Sequence, residues 1–302
     1  MFSYSGYYRQ ELLNLYIMFK IEACIVWIIF NLLRAMPIDL ASAVGGWIGR
    51  NIGYRLPVTR RARRNMQRIF PEWSAAKREA SLVRMWDNVG RTSGEYPHID
   101  RFDFGPGRRV EIVGLEHLES LRDDGGPGIF FSAHFGNWEL AGPSAARNGL
   151  PITLIYRAPN NPFVDWVFAR RRSIDGIDLI PKGSAGARVA LKKLMQGEHL
   201  GLLVDQKMND GVAVPFFGRP AMTAPALAVF GLKFRCPVVP AHVVRTKGAY
   251  FRIIFEPPIQ IEDTGDHQMD VLRTMTAVNA TVEKWIREQP DQWLWLHKRW
   301  PE

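Results

Sequence analysis

The chain has 302 residues, with 39 Lys or Arg against 30 Asp or Glu and a formal net charge of +9. That length suits one large domain or two small ones, and the apolar content is ample for a core. Two cysteines far apart, Cys24 and Cys236, exclude a disulfide framework, no zinc-type ligand spacing is present, and a reducing, cytosol-facing setting follows. The positive balance favours anionic partners: nucleic acid, phospholipid headgroups, phosphorylated substrates or an acidic protein. A simply basic, solvated surface gives the same count.

The N-terminal third opens on an apolar stretch over 12–33, broken by Lys20 and Glu22 and flanked by Arg9 and Arg34. Tyr7, Tyr8, Tyr16 and Trp27 supply interfacial aromatics. The stretch reads as a membrane anchor, spanning or interfacial, with a helix buried on the globular part as the alternative. No small-residue cleavage pattern follows it, so it does not read as a cleavable signal. Pro37 ends that helix, and 40–52, small and glycine-rich, either packs closely or lies in the membrane interface. The run of arginines over 60–68 predicts a basic helix, read as a lipid-facing patch because of the neighbouring anchor. Nucleic acid is the other sharp reading, but no nucleic-acid module accompanies it. Ser74 caps a predicted helix reaching 96, with Leu82, Val83, Met85, Trp86 and Val89 at helical spacing.

From Val110 the pattern changes to short apolar runs at 110–113, 128–131, 151–156, 200–204, 237–241 and 250–255, with helical stretches between most of them. This predicts an α/β fold with a mixed central sheet flanked by helices. The division expected is an anchor over 1–40 and a catalytic domain over 41–302. No internal repeat or low-complexity linker interrupts it.

The run Ser132-Ala133-His134-Phe135-Gly136-Asn137-Trp138-Glu139 sits where a strand ends and a helix begins, the place where open α/β sheets collect ligands. An imidazole there can take a proton near neutral pH, and a carboxylate on its other nitrogen would fix the tautomer. Glu139, five positions on, can reach it; equally, it can be an acidic residue in a first helical turn. Gly136 permits a close bend, and Asn137 can cap the helix or position a ligand. No G-x-S-x-G elbow and no H-E-x-x-H pair is present, so the base would act on a substrate hydroxyl or on water.

Three later stretches add to this. Arg157, at a strand end, and Arg170, Arg171 and Arg172 offer guanidinium forks for phosphate or carboxylate. The glycines beside Lys182 open a helix to Met195 and make a weak phosphate cradle. Asp205 closes an apolar strand, and the run Val214-Pro215-Phe216-Phe217-Gly218 either lines a hydrocarbon groove or packs as core between loops. Thr223 is expected to cap the helix that follows.

His134, Asn137 and Glu139, then Asn161-Pro162, Asp205-Gln206, the Pro-Phe-Phe-Gly run and Trp293-Leu294-Trp295-Leu296-His297, stand in an order that resembles the lysophospholipid acyltransferase superfamily. Within it the chain looks like the late acyltransferases of lipid A biosynthesis, of the lauroyl and myristoyl type, in Gram-negative bacteria. The resemblance implies a glycerolipid-acyltransferase-like fold and transfer of an acyl chain from acyl carrier protein to a hydroxyl of a phosphorylated, Kdo-bearing lipid A precursor. It implies His134 as general base and Glu139 as its orienting partner, with no cofactor beyond the acyl carrier protein thioester and no metal. It places the family's arginine on Arg172, in uncertain register within the triplet, and its aspartate on Asp205. Candidate substrate-binding residues are therefore Asn137, Arg157, Asn160, Asp165, Arg172 and Asp205. Expected partners are acyl carrier protein, the lipid A precursor and membrane lipids, without nucleic acid, at an inner membrane with the site facing the cytoplasm. The glycerolipid branch usually carries aspartate at the place of Glu139 and a later Pro-Glu-Gly block; neither stands here, which argues against glycerol phosphate as acceptor. Rival readings are acylation of another glycolipid such as a phosphatidylinositol mannoside, a membrane-associated hydrolase using the same dyad on water, and a non-catalytic binder using the arginines of 60–68.

Overall fold

The computed structural model describes residues 4–172 and 176–301. The chain opens with α1 (Tyr4–Ala35), α2 (Ile38–Asn51), α3 (Thr59–Ile69) and α4 (Ala75–Glu95). It then alternates through β1 (Val110–Val113), α5 (Leu115–Asp123), β2 (Gly128–Ser132), α6 (Ala141–Arg147), β3 (Ile152–Tyr156), α7 (Pro162–Arg172), β4 (Ile177–Pro181), α8 (Ser184–Met195) and β5 (His199–Leu203). A hairpin of β6 (Lys207–Phe216) and β7 (Arg219–Thr223) precedes α9 (Ala226–Phe234), β8 (Val238–Lys247), β9 (Tyr250–Phe255) and α10 (His267–Glu288).

The main sheet has seven strands in the order β1-β9-β8-β2-β5-β3-β4. Every pairing in it is parallel except β8 with β9. β2 lies at its centre and is buried along its whole length. Ile129 and Phe131 belong to one core cluster and Phe130 to the other, so the period-two alternation of this strand feeds both faces. This is the α/β architecture with a mixed sheet and flanking helices that the apolar runs predict. β4 and the β6–β7 hairpin escape the pattern, because β4 is half-exposed and broken by Asp178, and β6 opens on the polar Lys207, Asn209 and Asp210 and is mostly uncovered.

α1 contains a 23-residue stretch, Leu13–Ala35, long and apolar enough to cross a membrane and mostly uncovered by the rest of the protein. Its two interrupting charges have local explanations. Glu22 accepts a hydrogen bond from the Asn161 amide (2.9 Å), which also donates to the Phe19 carbonyl (2.8 Å), and Lys20 lies over the Tyr16 ring. At its other end, Arg34 pairs with Asp100 and the His98 ring donates to the Leu33 carbonyl (2.8 Å). The apolar helix is thus stitched to α7 and to the 3₁₀ turn at Tyr96–Arg101.

The 40–52 segment packs closely: α2 crosses α4 at backbone contact. A Cβ on Gly45 would stand 2.2 Å from the Gly90 carbonyl oxygen, and one on Gly90 2.1 Å from that of Gly45, so only glycine permits this crossing. α4 begins where expected, with the Ser74 hydroxyl accepting from the Lys77 N–H (3.2 Å). The basic helix forms as α3, but several of its arginines are engaged inside the molecule. Arg63 pairs with Glu79, Arg61 donates to the Leu296 carbonyl (3.1 Å) and Arg68 to that of Pro301 (3.1 Å).

Candidate functional site

β2 and β5 are parallel neighbours in register, Ser132 opposite Leu203, and Val204 N–H continues the ladder to the Ser132 carbonyl (3.0 Å). Two residues past the last paired positions stand His134 and Asp205. Both therefore leave the sheet side by side at its carboxyl edge, 71 positions apart in sequence.

Asp205 Oδ1 lies 2.8 Å from His134 Nδ1, and Asp205 Oδ2 accepts the His134 backbone N–H at 2.9 Å. The Trp293 indole N–H donates to the same Oδ2 at 2.8 Å. The Asp205 side chain is fully buried and His134 is 13% exposed. Burial is the largest single influence on Asp205 and would raise its pKa. The charge and hydrogen bond of His134, with His297 and the backbone N–H, outweigh it and hold the carboxyl well below the usual range. An ionised Asp205 fixes the proton of neutral His134 on Nδ1 and leaves Nε2 as the acceptor, to which the Gln206 amide N–H donates at 3.2 Å.

The turn that carries His134 is anchored from three directions. Gly136 has φ of 59°, and a Cβ there would stand 1.8 Å from the Val243 carbonyl oxygen, so the close bend expected of this glycine is present. Its carbonyl accepts from Asn88 (2.9 Å) and Thr92 (3.2 Å) of α4. Its N–H donates to the Gln292 carbonyl (3.0 Å). Beneath it, the buried Glu95 pairs with Arg245 of β8, with one contact at 3.0 Å. The Asn137 amide donates to Glu95 at 2.8 Å. Asn137 is completely buried and braces the turn from below.

Beside the pair opens a cavity of about 830 Å³. His134, Glu139, Arg157, Lys182 and Gln206 contribute its polar walls, and Leu154, Leu179, Leu202 and Phe230 are among the apolar ones. The orienting partner of His134 at Nδ1 is Asp205 and not the expected Glu139, because the parallel register brings Asp205 to that nitrogen. Glu139 lies in the same cavity wall and accepts from the Trp138 indole N–H (3.1 Å), whose ring stands 5.1 Å from that of His134.

Arg157 is an exposed residue of the cavity, and Lys182 and Gly183 at the start of α8 join it. Asn160 is exposed. Asp165 accepts from the Tyr156 hydroxyl at 3.3 Å and so links α7 to the end of β3. Arg172 closes α7, and its side chain lies outside the described residues, as do those of Arg170 and Arg171. The Pro-Phe-Phe-Gly run packs as core: Phe216 is 1% exposed, stacks on Trp300 and lies in the larger core cluster. Thr223 ends β7 instead of capping α9, whose N-cap is Pro225, because its hydroxyl and backbone belong to the hairpin.

Gln206, Trp293 and His297 belong to this site without a role expected of them. Gln206 was within reach of sequence reasoning, since it follows Asp205 at a strand's carboxyl end. No local pattern ties 293–297 to a turn some 160 positions earlier. His134, Asp205 and His297 place donor atoms within 4.8 Å of one another, a set that could hold a metal ion; the first two are here joined by a hydrogen bond. Cys236 is buried, which pushes its thiol up to about 11 and leaves it a poor nucleophile.

A family model described as bacterial lipid A biosynthesis acyltransferase matches residues 13–302. A lipid A biosynthesis acyltransferase of Haemophilus influenzae is 26% identical over 279 residues, 90% of this chain and 86% of that one. The lipid A biosynthesis lauroyltransferase of Escherichia coli is 28% identical over 289 residues, 91% of this chain and 88% of that one. A phosphatidylinositol mannoside acyltransferase of Mycolicibacterium smegmatis is 24% identical over 225 residues, 70% and 71% of the two chains. A solved 1-acyl-sn-glycerophosphate acyltransferase of Thermotoga maritima overlays with a TM-score of 0.36 at 14% identity, covering 84% of this chain and 100% of that one. The matched span takes in both strands that carry the His134–Asp205 pair and the C-terminal segment that closes over it. The chain is an acyltransferase and belongs to the bacterial lipid A biosynthesis acyltransferase family.

Proposed function

We propose that this enzyme transfers an acyl chain from acyl carrier protein to a hydroxyl of a phosphorylated, Kdo-bearing lipid A precursor, with His134 as the general base. The carrying observation is the His134–Asp205 pair at the wall of a large, mostly apolar cavity that also contains Arg157 and Lys182. The acceptor hydroxyl takes the place of the Gln206 amide at His134 Nε2 and gives up its proton there. The oxygen attacks the thioester carbonyl, and the tetrahedral intermediate expels the carrier thiolate as the C–S bond breaks. His134 returns the proton to the departing sulfur. Asp205 balances the imidazolium formed in between, and Glu139 adds a second negative charge in the same wall.

The leucines and Phe230 suit a hydrocarbon chain, and Arg157 and Lys182 suit phosphate or an acidic sugar. The net charge of +9 suits approach by an acidic carrier protein. Residues 1–40 serve as the membrane anchor and 41–302 as the catalytic domain, at an inner membrane with the site towards the cytoplasm. The apolar α1 and its stitching to α7 support this placement.

The test is a reconstituted assay in vesicles with a panel of acyl carrier protein thioesters and the lipid A precursor, read by product mass. The expected product is the precursor plus one acyl group. Fatty acid released at the same rate with and without acceptor would instead make the enzyme a hydrolase. The mycobacterial relative supports one further acceptor, a phosphatidylinositol mannoside, which the same assay includes.

A further inference from the structure

The C-terminal residues approach the catalytic turn as a strap. Trp293 forms an antiparallel bridge with Phe135, and the Leu294 N–H donates to the His134 carbonyl at 3.0 Å. The strap is fastened beyond the site as well. Asn65 of α3 donates to the carbonyls of Trp295 and His297, both at 3.0 Å. Arg299 is fully buried and holds the Met222 carbonyl (3.0 Å), the Thr223 hydroxyl (2.9 Å) and the Asn279 side chain (3.1 Å).

Two side chains of the strap touch the catalytic pair. The Trp293 indole N–H occupies Asp205 Oδ2, the oxygen not used by the His134 ring. With Oδ2 held by this indole and by the His134 backbone N–H, the carboxylate is locked against rotation while Oδ1 faces Nδ1. The His297 ring packs edge-on against His134, with centroids 4.7 Å apart at 71°, and its Nε2 stands 3.7 Å from Oδ2. That Nε2 is buried without a hydrogen-bond partner. Core packing alone explains a buried tryptophan; it does not explain an indole N–H and an imidazole edge directed at the same carboxylate.

We propose that Trp293 and His297 are positioning residues for acyl transfer. Trp293 sets the Asp205 carboxylate in the plane that serves His134, and His297 fixes the His134 ring from its side. The inference rests on the reading of His134 as the base.

The test compares Trp293→Phe, His297→Leu and His297→Gln with wild type, with His134→Ala as reference and Trp285→Phe as a control. Trp285 is an equally buried tryptophan whose indole serves Glu256, away from the site. Loss of the Trp293 hydrogen bond to a charged group is worth on the order of tenfold in rate, and a His134 ring left without the His297 ring at its side is misplaced at a comparable cost. The expected result is a kcat about tenfold lower in Trp293→Phe and His297→Leu, with KM for thioester and acceptor within about twofold. His297→Gln, whose planar amide again packs against the side of the His134 ring, regains most of the loss. Trp285→Phe lowers the melting temperature comparably and leaves kcat in place. A kcat within about threefold of wild type in either Trp293→Phe or His297→Leu overturns the assignment for that residue, and an equal fall in Trp285→Phe overturns it for both. Full activity in His134→Ala strikes the base assignment instead, so the two failures are told apart.

Discussion

Glu95→Gln should loosen the catalytic turn without touching the cavity. Glu95 is completely buried, and its partner Arg245 is only 8% exposed. Removing one member of a buried pair leaves an uncompensated charge, at a cost of roughly 3–5 kcal/mol. Arg245 keeps the Asn88 side chain (2.8 Å), Thr92 (3.1 Å) and the Gly248 carbonyl (2.7 Å), which places the cost near the lower end. At about 2–4 °C per kcal/mol for a chain of this size, the melting temperature falls by about 6 °C or more. The effect reaches catalysis because Glu95 also takes the Asn137 amide, and α4 holds the Gly136 carbonyl through Asn88 and Thr92. Thermal unfolding and acyl transfer, measured on the same detergent-solubilised preparation, should fall together. Replacing both partners by apolar residues, Glu95→Leu with Arg245→Met, should recover much of the stability, since no charge is stranded. A melting temperature for Glu95→Gln within about 2 °C of wild type would refute the reasoning, because a buried guanidinium cannot lose its carboxylate so cheaply.

Asp205→Asn should lower kcat by about 10²-fold or more, through loss of the anion that selects the His134 tautomer, and rates within tenfold of wild type would show that the pair is only structural. Gly136→Ala should fail to accumulate as folded protein, because its backbone is left-handed and the new methyl would meet the Val243 carbonyl at 1.8 Å; size-exclusion chromatography of a well-folded variant would contradict this. Acid should destabilise the fold. Burial pushes His242 down to about 3 and His297 to about 4 from the ordinary 6.5, so between those values the unfolded chain binds more protons than the folded one. Their contribution is complete above about pH 6.5 and is lost towards pH 4 at up to about 1.4 kcal/mol per pH unit for each group. Melting temperatures taken between pH 7.5 and 4.5 should show this slope, and His242→Phe, which keeps the stack on Trp285, should make it shallower; parallel curves would rule out His242 as a contributor.

Much of the sheet was legible because its strands are short apolar runs bounded by turns. β1 and β9 fall on the predicted residues, and β2, β3 and β5 within one residue at either end. The long apolar N-terminal helix and the glycine-rich segment were legible as composition; that the latter is one half of a glycine crossing was not, since Gly90 and Gly94 lie in a different helix. The internal partners of Arg61 and Arg68 were not legible in the run over 60–68, because charge density says nothing about which carbonyls of the C-terminus will take the guanidinium groups. The site shows the same limit more sharply. His134 was found because a strand's carboxyl end is a local feature. Five residues of spacing leave Glu139 open between a partner of His134 and an acid of a first helical turn, and only the resemblance makes it the orienting carboxylate. Asp205 was visible as another acid at a strand end, yet nothing in either segment says that β2 and β5 are neighbours, and the sheet order places them side by side with no strand between. Once that adjacency is given, the Ser132–Leu203 register carries the argument two residues further and puts His134 beside Asp205 with no freedom left. The missing information was therefore one strand order, and the chemistry of the pair follows from it.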